Sequence, residues 1–353
     1  MTFVLYGATG TTGTLIAEAA VRRGHRPILA GRSPERLRPL AERLGLDWAA
    51  AATDDPAALD GLVARAPLTL LTAGPFTATS APVLQACLRA GSHYLDVANE
   101  TGVFEAVYAR DTDARRRGVT LLPGAGFGVT ATDTLARHVA DQLPGALRLE
   151  LTVLLYTAGT SPGAAANRLS IAAGGGLARH GGALVPARLG AGARRVATPA
   201  GRSSVVPLPT GDLSAVHRTT GIGDITVSMP VGLPPALARL LLPLLPRIAG
   251  RRAARERAAD RPRTPLPPAD PARRSLIGAR AVTADGRSIQ AWLQTGEGYA
   301  YTAEAAVRAA ETVLVGTDPG AHSPGALLGA DFALDIPGVR RLGTEPAPSA
   351  PRT

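Results

Sequence analysis

Short apolar runs alternate with amphipathic stretches along the first third of the chain. The apolar runs have strand length, and several of the stretches between them end at a glycine, as helices commonly do. This repetition predicts a Rossmann-type, doubly wound parallel sheet with helices on both faces, an α/β fold. The predicted strands cover residues 3–6, 27–30, 47–52, 68–72, 93–97 and 119–122, and the predicted helices cover 12–23, 34–44, 82–90 and 104–117.

The pattern changes in the middle of the chain, where strand-like runs follow one another with few helices between them. Asp285-Gly286 is a strong hairpin signal between the last two runs. We expect an inserted α+β domain with a mixed sheet over residues 131–299, which binds substrate and mediates dimerisation. The first domain covers residues 1–130, completed by about 300–345, and a disordered tail covers 346–353. The predicted strands are 148–156, 202–206, 214–219, 225–229, 276–283 and 288–295, and the helices are 164–179 and 301–314.

A glycine-rich turn directly follows the first predicted strand and opens the first predicted helix. Glycines there permit a tight turn and let backbone N–H groups approach a pyrophosphate, which the helix N-terminus also favours. The spacing is G-x-x-G-x-x-G, and the strand–turn–helix context makes it a candidate phosphate-binding loop. The loop consists of Gly7, Ala8, Thr9, Gly10, Thr11, Thr12 and Gly13.

The end of the second predicted strand indicates which dinucleotide is bound. NAD-binding domains usually place an acidic residue there to hold the ribose 2′-hydroxyl, whereas this chain has Arg32 followed by Ser33. A guanidinium and a hydroxyl suit a 2′-phosphate. The sequence therefore predicts NADP(H) as the cofactor; the alternative for Arg32 is a solvated surface arginine.

Residues at the carboxyl ends of later strands are the next candidates, because ligands of doubly wound sheets bind at that edge. We expect this set to lie near the nicotinamide, although each segment is also compatible with an ordinary turn. The set is Ala73, Gly74, Pro75, Phe76, Gly126 and Phe127.

The proton donor for a hydride transfer is less well defined by the sequence. The main candidates are Tyr94, Asn99, Asp133 and Tyr156, and His93 and Glu100 are further candidates. Strand alternation places Tyr94 and Asp96 on one face, so a buried tyrosine hydrogen-bonded to a neighbour is the alternative. Asp133 is also a candidate for the start of a helix over 134–139.

Taken together in chain order, several segments resemble the saccharopine dehydrogenase-like family, which includes saccharopine reductases and trans-acting enoyl reductases. They are residues 6–13, 30–33, 73–76, 82–84, 91–100, 123–133, 298–303 and 323–326. The resemblance implies an NADPH-binding Rossmann domain around an inserted mixed-sheet domain, and a homodimer through the middle sheet. The chain departs from the family at Gly128, where relatives commonly carry an aspartate.

Composition excludes several other classes of protein. The 353 residues carry a net charge of +10, and all the cationic side chains are arginines. Without lysine there is no Schiff base and no Tyr-x-x-x-Lys pair of short-chain dehydrogenases. Aromatics do not interleave with the arginines, so no nucleic-acid partner is expected. Cys87 is the single cysteine, and no spacing indicates a metal site.

The apolar run over residues 237–245 is too short to span a membrane and is interrupted by Pro243. No signal peptide is recognisable, so we expect a cytoplasmic protein without a membrane partner.

These observations favour an NADPH-dependent oxidoreductase. We expect it to reduce a C=O, C=N or activated C=C bond of a small-molecule or acyl-carrier-bound substrate, with a role in biosynthesis. The alternative is a non-catalytic, NADP(H)-sensing regulatory protein. The arginine-rich residues 247–274 are either a solvated loop or a docking patch for an acidic partner.

Overall fold

The computed structural model describes residues 1–161, 164–165, 171, 174–246 and 267–346. The chain divides into two compact units. The first unit contains Met1–Thr130 and Tyr299–Leu328, and the second contains Ala131–Gly298 together with the chain from Gly329 onward.

The first unit is built on a parallel sheet of seven strands. Its order is β15-β6-β5-β4-β1-β2-β3, and every neighbouring pair is parallel. Strands β1, β2, β4 and β6 are buried along their whole length, as expected when helices cover both faces. The predicted doubly wound fold is therefore confirmed. The strands are β1 (Val4–Tyr6), β2 (Ile28–Gly31), β3 (Trp48–Ala50), β4 (Leu68–Leu71), β5 (His93–Asp96), β6 (Thr120–Leu122) and β15 (Gly320–Ala321).

The helices of the first unit begin and end at residues suited to those positions. Pro34 occupies the first turn of its helix, which ends at Gly45 in the left-handed conformation. Asp55 caps the next helix by accepting a hydrogen bond from the Ala58 N–H, at 3.0 Å. The predicted helix over 104–117 is two helices. The bounds are α1 (Thr11–Arg22), α2 (Pro34–Leu44), α3 (Pro56–Val63), α4 (Phe76–Ala90), α5 (Thr101–Tyr108), α6 (Asp111–Arg117) and α7 (Phe127–Gln142), which continues into the second unit.

The second unit contains a mixed sheet, as predicted. Its main path is β10-β11-β12-β7-β13-β14-β16, and the β8–β9 hairpin joins it at β12. Strands β7 and β12 are parallel, whereas the other pairs are antiparallel. The strands are β7 (Ala146–Leu154), β8 (Gly176–His180), β9 (Ala183–Ala187), β10 (Arg194–Thr198), β11 (Gly201–Pro207), β12 (Asp224–Pro230), β13 (Ser275–Thr283), β14 (Ser288–Thr295) and β16 (Arg340–Pro346).

One face of this sheet forms the core of the second unit. Leu149, Leu151 and Val153 alternate along β7 and are buried, and their partners on β13 are also buried. The unit also contains α8 (Asp212–Thr220) and α9 (Pro235–Leu241), and α10 (Gly298–Val315) begins at its edge and continues into the first unit. A further short helix of the first unit is α11 (Pro324–Leu328).

Three sequence-based expectations need correction. Residues 214–219, predicted as a strand, lie inside α8, which ends at Gly221 in the left-handed conformation. The C-terminal part of the helix predicted over 164–179 is strand β8, which turns back at Gly181 and Gly182, both with positive φ. Residues 166–170 and 172–173 of that prediction lie outside the described residues.

The third correction concerns the end of the chain. The expected completion of the first domain extended to about residue 345, but β16 pairs with β14 and belongs to the second unit. The tail predicted to be disordered lies, from residue 347, outside the described residues.

Candidate cofactor and active site

The glycine-rich loop connects β1 to α1 with the geometry of a phosphate-binding turn. Gly7 has a φ of +91° and donates its N–H to the Ala30 carbonyl at 2.8 Å. Gly10 donates to the Gly7 carbonyl at 2.9 Å and is the N-cap of α1. Because α1 begins at Thr11, the N–H groups of its first turn have no intrahelical acceptor and are available to an anion.

Two of the loop glycines are required by close packing. A Cβ atom at Gly13 would lie 2.3 Å from the Gly7 carbonyl oxygen, and one at Gly7 would lie 2.5 Å from the backbone nitrogen of Ala73. Only glycine lets α1 approach the loop and lets the loop approach the end of β4. The structure therefore brings the loop and the predicted segment beginning at Ala73 into contact.

Arg32 lies directly after β2 and is exposed, which leaves its guanidinium accessible to a ligand. Its charge lowers the pKa of Tyr6 at the end of β1, although burial dominates and raises that pKa to about 12. The Ser33 hydroxyl donates to the Glu35 carboxylate at 2.9 Å. No local signal in the sequence indicates that pairing, which places a carboxylate beside the hydroxyl predicted to hold a 2′-phosphate.

The turn after β4 leads directly into a helix. Gly74 and Pro75, joined by a cis peptide bond, precede α4, and Phe76 is its buried first residue. The Phe76 N–H donates to the Glu100 carboxyl group. This hydrogen bond joins the turn after β4 to the turn after the neighbouring strand β5.

Tyr94 and Asp96 form a buried pair on β5. Both residues are 0% exposed, and the tyrosine hydroxyl donates to Asp96 Oδ2 at 2.8 Å. Asp96 Oδ1 also accepts the N–H groups of Ala98 and Gly124, each at 2.9 Å. Burial raises the pKa of Asp96 to about 6 and raises that of Tyr94 well above its usual value. The pair fixes the turns that follow β5 and β6.

His93, which begins β5, has a similar structural role. Its Nδ1 accepts the Thr120 N–H at 2.9 Å, and burial lowers the pKa of the imidazole.

Asn99 and Glu100 follow β5 and carry buried acceptor atoms without a hydrogen-bond partner among the described residues. These atoms are Asn99 Oδ1 and Glu100 Oε1. The other Glu100 oxygen accepts the Asn99 N–H at 3.0 Å, and burial raises the pKa of the Glu100 carboxyl group. The Asn99 side chain lies beside Gly128, where a Cβ atom would come within 3.1 Å of it. Two acceptors at this edge thus remain available to a hydrogen-bond donor.

Gly126 and Phe127 pack against the part of α10 that belongs to the first unit. The Phe127 N–H donates to Thr302 Oγ1 at 3.1 Å, and its ring meets Tyr301 edge-to-face at a centroid distance of 5.1 Å. A Cβ atom at Gly126 would lie 3.1 Å from Thr302 Cγ2. The Phe127 side chain is buried, so this segment, which was predicted to lie near the cofactor, packs against α10.

Asp133 and Tyr156 belong to the second unit and are engaged there. Asp133 lies inside α7 rather than at a helix start, because α7 already begins at Phe127, and it accepts the Thr219 hydroxyl at 2.8 Å. The Tyr156 hydroxyl accepts the Asp270 N–H at 2.8 Å. The Arg273 guanidinium lies 4.3 Å from the Tyr156 ring centroid. Both predicted catalytic residues are thus held by neighbours within their own unit.

The first unit fits a dinucleotide phosphate. The Gly7–Gly13 loop leaves a cradle that side chains would fill, the N-terminus of α1 faces it, and Arg32 follows the adjacent strand. Among the described residues, no group of three or more His, Cys, Asp or Glu side chains is placed to hold a metal ion.

Comparison with known proteins finds a matching family for part of this unit. Residues 3–122 match the family model of the saccharopine dehydrogenase NADP-binding domain. This match confirms both the predicted family resemblance and NADP(H) as the cofactor.

Curated relatives match part of the chain. A trans-acting enoyl reductase of Mycobacterium ulcerans (strain Agy99) is 35% identical over 149 residues, covering 38% of this chain and 34% of the relative. A trans-acting enoyl reductase of Mycobacterium tuberculosis (strain ATCC 25618 / H37Rv) is 43% identical over 104 residues, covering 28% and 25%. The matched region thus spans about a third or less of the length of these relatives.

The fold as a whole is similar to that of a solved enzyme. The apo structure of histidine-tagged saccharopine dehydrogenase (L-Glu forming) from Saccharomyces cerevisiae aligns with a TM-score of 0.63 and 12% identity. The alignment covers 97% of this chain and 100% of that chain, so the likeness extends over both units but concerns the fold alone.

Proposed function

We propose that this chain, whose residues 3–122 belong to the saccharopine dehydrogenase NADP-binding domain family, is an NADPH-dependent reductase. The observation that carries the proposal is the phosphate-binding loop followed by Arg32 in place of an acidic residue. The names of the curated relatives favour an enoyl C=C bond over a C=O or C=N bond. A carrier-bound thioester is accordingly the substrate class that we would test first, with small-molecule ketones and imines next.

In this proposal each part of the first unit has a separate role. The loop and the first turn of α1 bind the pyrophosphate through backbone N–H groups, and Arg32 binds the 2′-phosphate. The turn at Gly74 follows β4, which pairs with β1 on the side opposite to β2, the side expected for the nicotinamide. NADPH supplies the hydride when bound, so the chain must orient the reacting group and hold a proton.

Glu100 is the group best suited to hold that proton. One oxygen of its carboxyl group has no partner among the described residues, and burial raises its pKa, which keeps it protonated to higher pH than an exposed glutamate. Asn99, whose Oδ1 likewise has no partner within the described part of the chain, is placed to orient a donor group. Tyr94 lacks this freedom, because its hydroxyl is already donated to Asp96.

The first experiment is a parallel titration of NADPH and NADH into the wild-type protein, Arg32→Asp and Arg65→Asp. Arg65 is also exposed in the first unit, so its variant makes the same charge change away from the loop. We expect NADPH to bind at least about tenfold (~1.4 kcal/mol) more tightly than NADH. That preference should disappear in Arg32→Asp and persist in Arg65→Asp.

Turnover is then measured as loss of NADPH absorbance with enoyl thioesters, ketones and imines. Reduction of one class that is retained in Tyr94→Phe and lost in Glu100→Gln would support the assignment of roles. Tight NADPH binding without turnover of any class would instead support the non-catalytic sensor. Equal affinity for NADH and NADPH would contradict the role given to Arg32.

A further inference from the structure

One buried amide oxygen at the carboxyl edge of the parallel sheet needs a hydrogen-bond donor. Asn99 follows β5, and its Oδ1 is buried and accepts no hydrogen bond from any of the described residues. A buried acceptor without a donor is destabilising, and native proteins seldom retain one unless a bound molecule satisfies it. The Asn99 oxygen therefore indicates a ligand that carries an N–H or O–H group at this edge.

Neighbouring groups hold Asn99 in place before any ligand binds. Its backbone N–H donates to Glu100 Oε2 at 3.0 Å, and the N–H of Ala98 donates to Asp96 Oδ1 at 2.9 Å. The side chain lies beside Gly128 at the start of α7, where a Cβ atom would come within 3.1 Å of Asn99 Nδ2. The amide is thus fixed both through its backbone and through its side chain.

Asn99 lies two strands away from the phosphate-binding loop. The loop follows β1, β4 pairs with β1, and β5 pairs with β4, so Asn99 is roughly 10 Å across the sheet from the loop. The turn after β4 connects the two positions, since it touches Gly7 and donates the Phe76 N–H to Glu100. Arg32 follows β2 on the other side of β1, so a dinucleotide held by Arg32 and the loop extends its nicotinamide half toward β5.

The chemistry of the reacting groups identifies the donor. An enoyl thioester or a ketone has no N–H or O–H at its reacting bond and offers nothing to an acceptor oxygen. The carboxamide of nicotinamide carries two N–H donors, next to the ring carbon that transfers the hydride. We propose that Asn99 Oδ1 accepts a hydrogen bond from this carboxamide and thereby fixes the orientation of the nicotinamide ring. The inference rests on the proposed function and gives Asn99 a role separate from that of Glu100.

The test removes the donor from the ligand and the acceptor from the protein in turn. Isothermal titration calorimetry of the full chain compares NADP⁺ with its 3-acetylpyridine analogue, in which a methyl group replaces the carboxamide NH₂. We expect the wild type to bind NADP⁺ at least about fivefold more tightly than the analogue, because the analogue leaves Oδ1 without a donor. In Asn99→Ala the ratio of the two affinities should fall to about one.

Two further variants and a third ligand complete the experiment. Gln85→Ala removes an exposed amide from α4 of the same unit and should keep the wild-type ratio. Gly128→Ala keeps the Asn99 amide but places a Cβ atom against it, and should lower the ratio; alanine favours the helix, so this variant should fold. Adenosine 2′,5′-bisphosphate lacks the nicotinamide half and should bind equally to the wild type and to every variant.

Three results would overturn the proposal. An unchanged ratio in Asn99→Ala would assign the discrimination to another group. Equal affinities of the wild type for NADP⁺ and the analogue would leave a substrate group as the donor. A loss of adenosine 2′,5′-bisphosphate binding by Asn99→Ala that matches its loss of NADP⁺ binding would contradict a local role for the amide. Failure of the proposed function is distinguishable from all three, because the wild type would then bind neither NADP⁺ nor adenosine 2′,5′-bisphosphate.

Discussion

Replacing Tyr94 with phenylalanine separates a structural from a catalytic role for this residue. The substitution removes one hydroxyl from a position that is 0% exposed and leaves the ring in place. Asp96 Oδ2 then loses the hydrogen bond that it accepts at 2.8 Å, while Oδ1 keeps its two backbone donors. A hydrogen bond to an ionised group contributes ~1.5–3 kcal/mol, whereas one between neutral groups contributes about 1 kcal/mol. The cost of the substitution must therefore depend on the protonation of Asp96.

The direction of that dependence follows from the pKa of Asp96. Burial raises this pKa from 3.8 to about 6 in the folded protein. A carboxyl group that binds its proton more tightly when folded stabilises the protein at low pH, and this contribution is lost as the pH rises through about 6. Removing the tyrosine hydroxyl, which favours the charged form, raises the pKa further. We expect Tyr94→Phe to lower the free energy of unfolding by ~2 kcal/mol at about pH 8 and ~1 kcal/mol at about pH 5.

The two tryptophans make the measurement specific to one unit. Trp48 lies in the first unit and Trp292 in the second, so urea unfolding in a Trp292→Phe background reports on the first unit through Trp48 fluorescence. Tyr6→Phe is the matched control, because the Tyr6 hydroxyl donates to the neutral Ala51 carbonyl. Its cost should be the same at both pH values. A Tyr94→Phe protein of wild-type stability, or a cost independent of pH, would refute the structural role.

Three further predictions address other parts of the molecule. Gly13→Ala places a Cβ atom 2.3 Å from the Gly7 carbonyl oxygen and should weaken NADPH binding at least about tenfold, whereas Gly61→Ala, whose Cβ atom meets nothing within 4 Å, should leave the affinity unchanged. Equal NADPH affinities of the two variants in a fluorescence titration would contradict the packing argument. Cys87 is fully buried with a pKa raised to about 12, so a thiol reagent should react only after unfolding, and rapid labelling of the native protein would count against its burial. Asp212→Ala removes a buried carboxylate that accepts two threonine hydroxyls and should lower the free energy of unfolding of the second unit by ~2 kcal/mol. Trp292 fluorescence reports on this unit, and an unchanged free energy of unfolding would contradict the stabilising role of the carboxylate.

The first unit could be predicted largely from local signals. Its strands are short and most of them are buried on both faces, and the glycines at helix ends, such as Gly45, Gly91 and Gly118, adopt the positive φ that marks a helix stop. The phosphate-binding loop could likewise be predicted from the sequence, because its residues are consecutive. The family match confirms the cofactor that Arg32 indicated.

The sequence of the second unit carries weaker local signals for its secondary structure. Residues 214–219 contain a valine and a threonine, which favour a strand in isolation, yet they lie in a helix that begins at the buried Asp212. The carboxylate of Asp212 is stabilised by the hydroxyls of Thr132 and Thr210, which come from distant and neighbouring positions. Tertiary contacts of this kind override local propensity and leave no mark on the sequence around them.

The proton donor of the candidate site could not be chosen from the sequence for the same reason. Tyr94, Glu100 and Asp133 are equally plausible proton donors as residue types, and all lie near strand ends or helix starts in a sequence-based reading. What distinguishes them is which polar atoms already have partners: the Tyr94 hydroxyl donates to Asp96, and Asp133 Oδ2 accepts the Thr219 hydroxyl. The Glu100 carboxyl group accepts the Phe76 and Asn99 N–H groups, yet its Oε1 has no hydrogen-bond partner among the described residues. We therefore prefer Glu100 Oε1 as the candidate proton donor. The sequence alone gives no reason to prefer Glu100 over Tyr94 or Asp133.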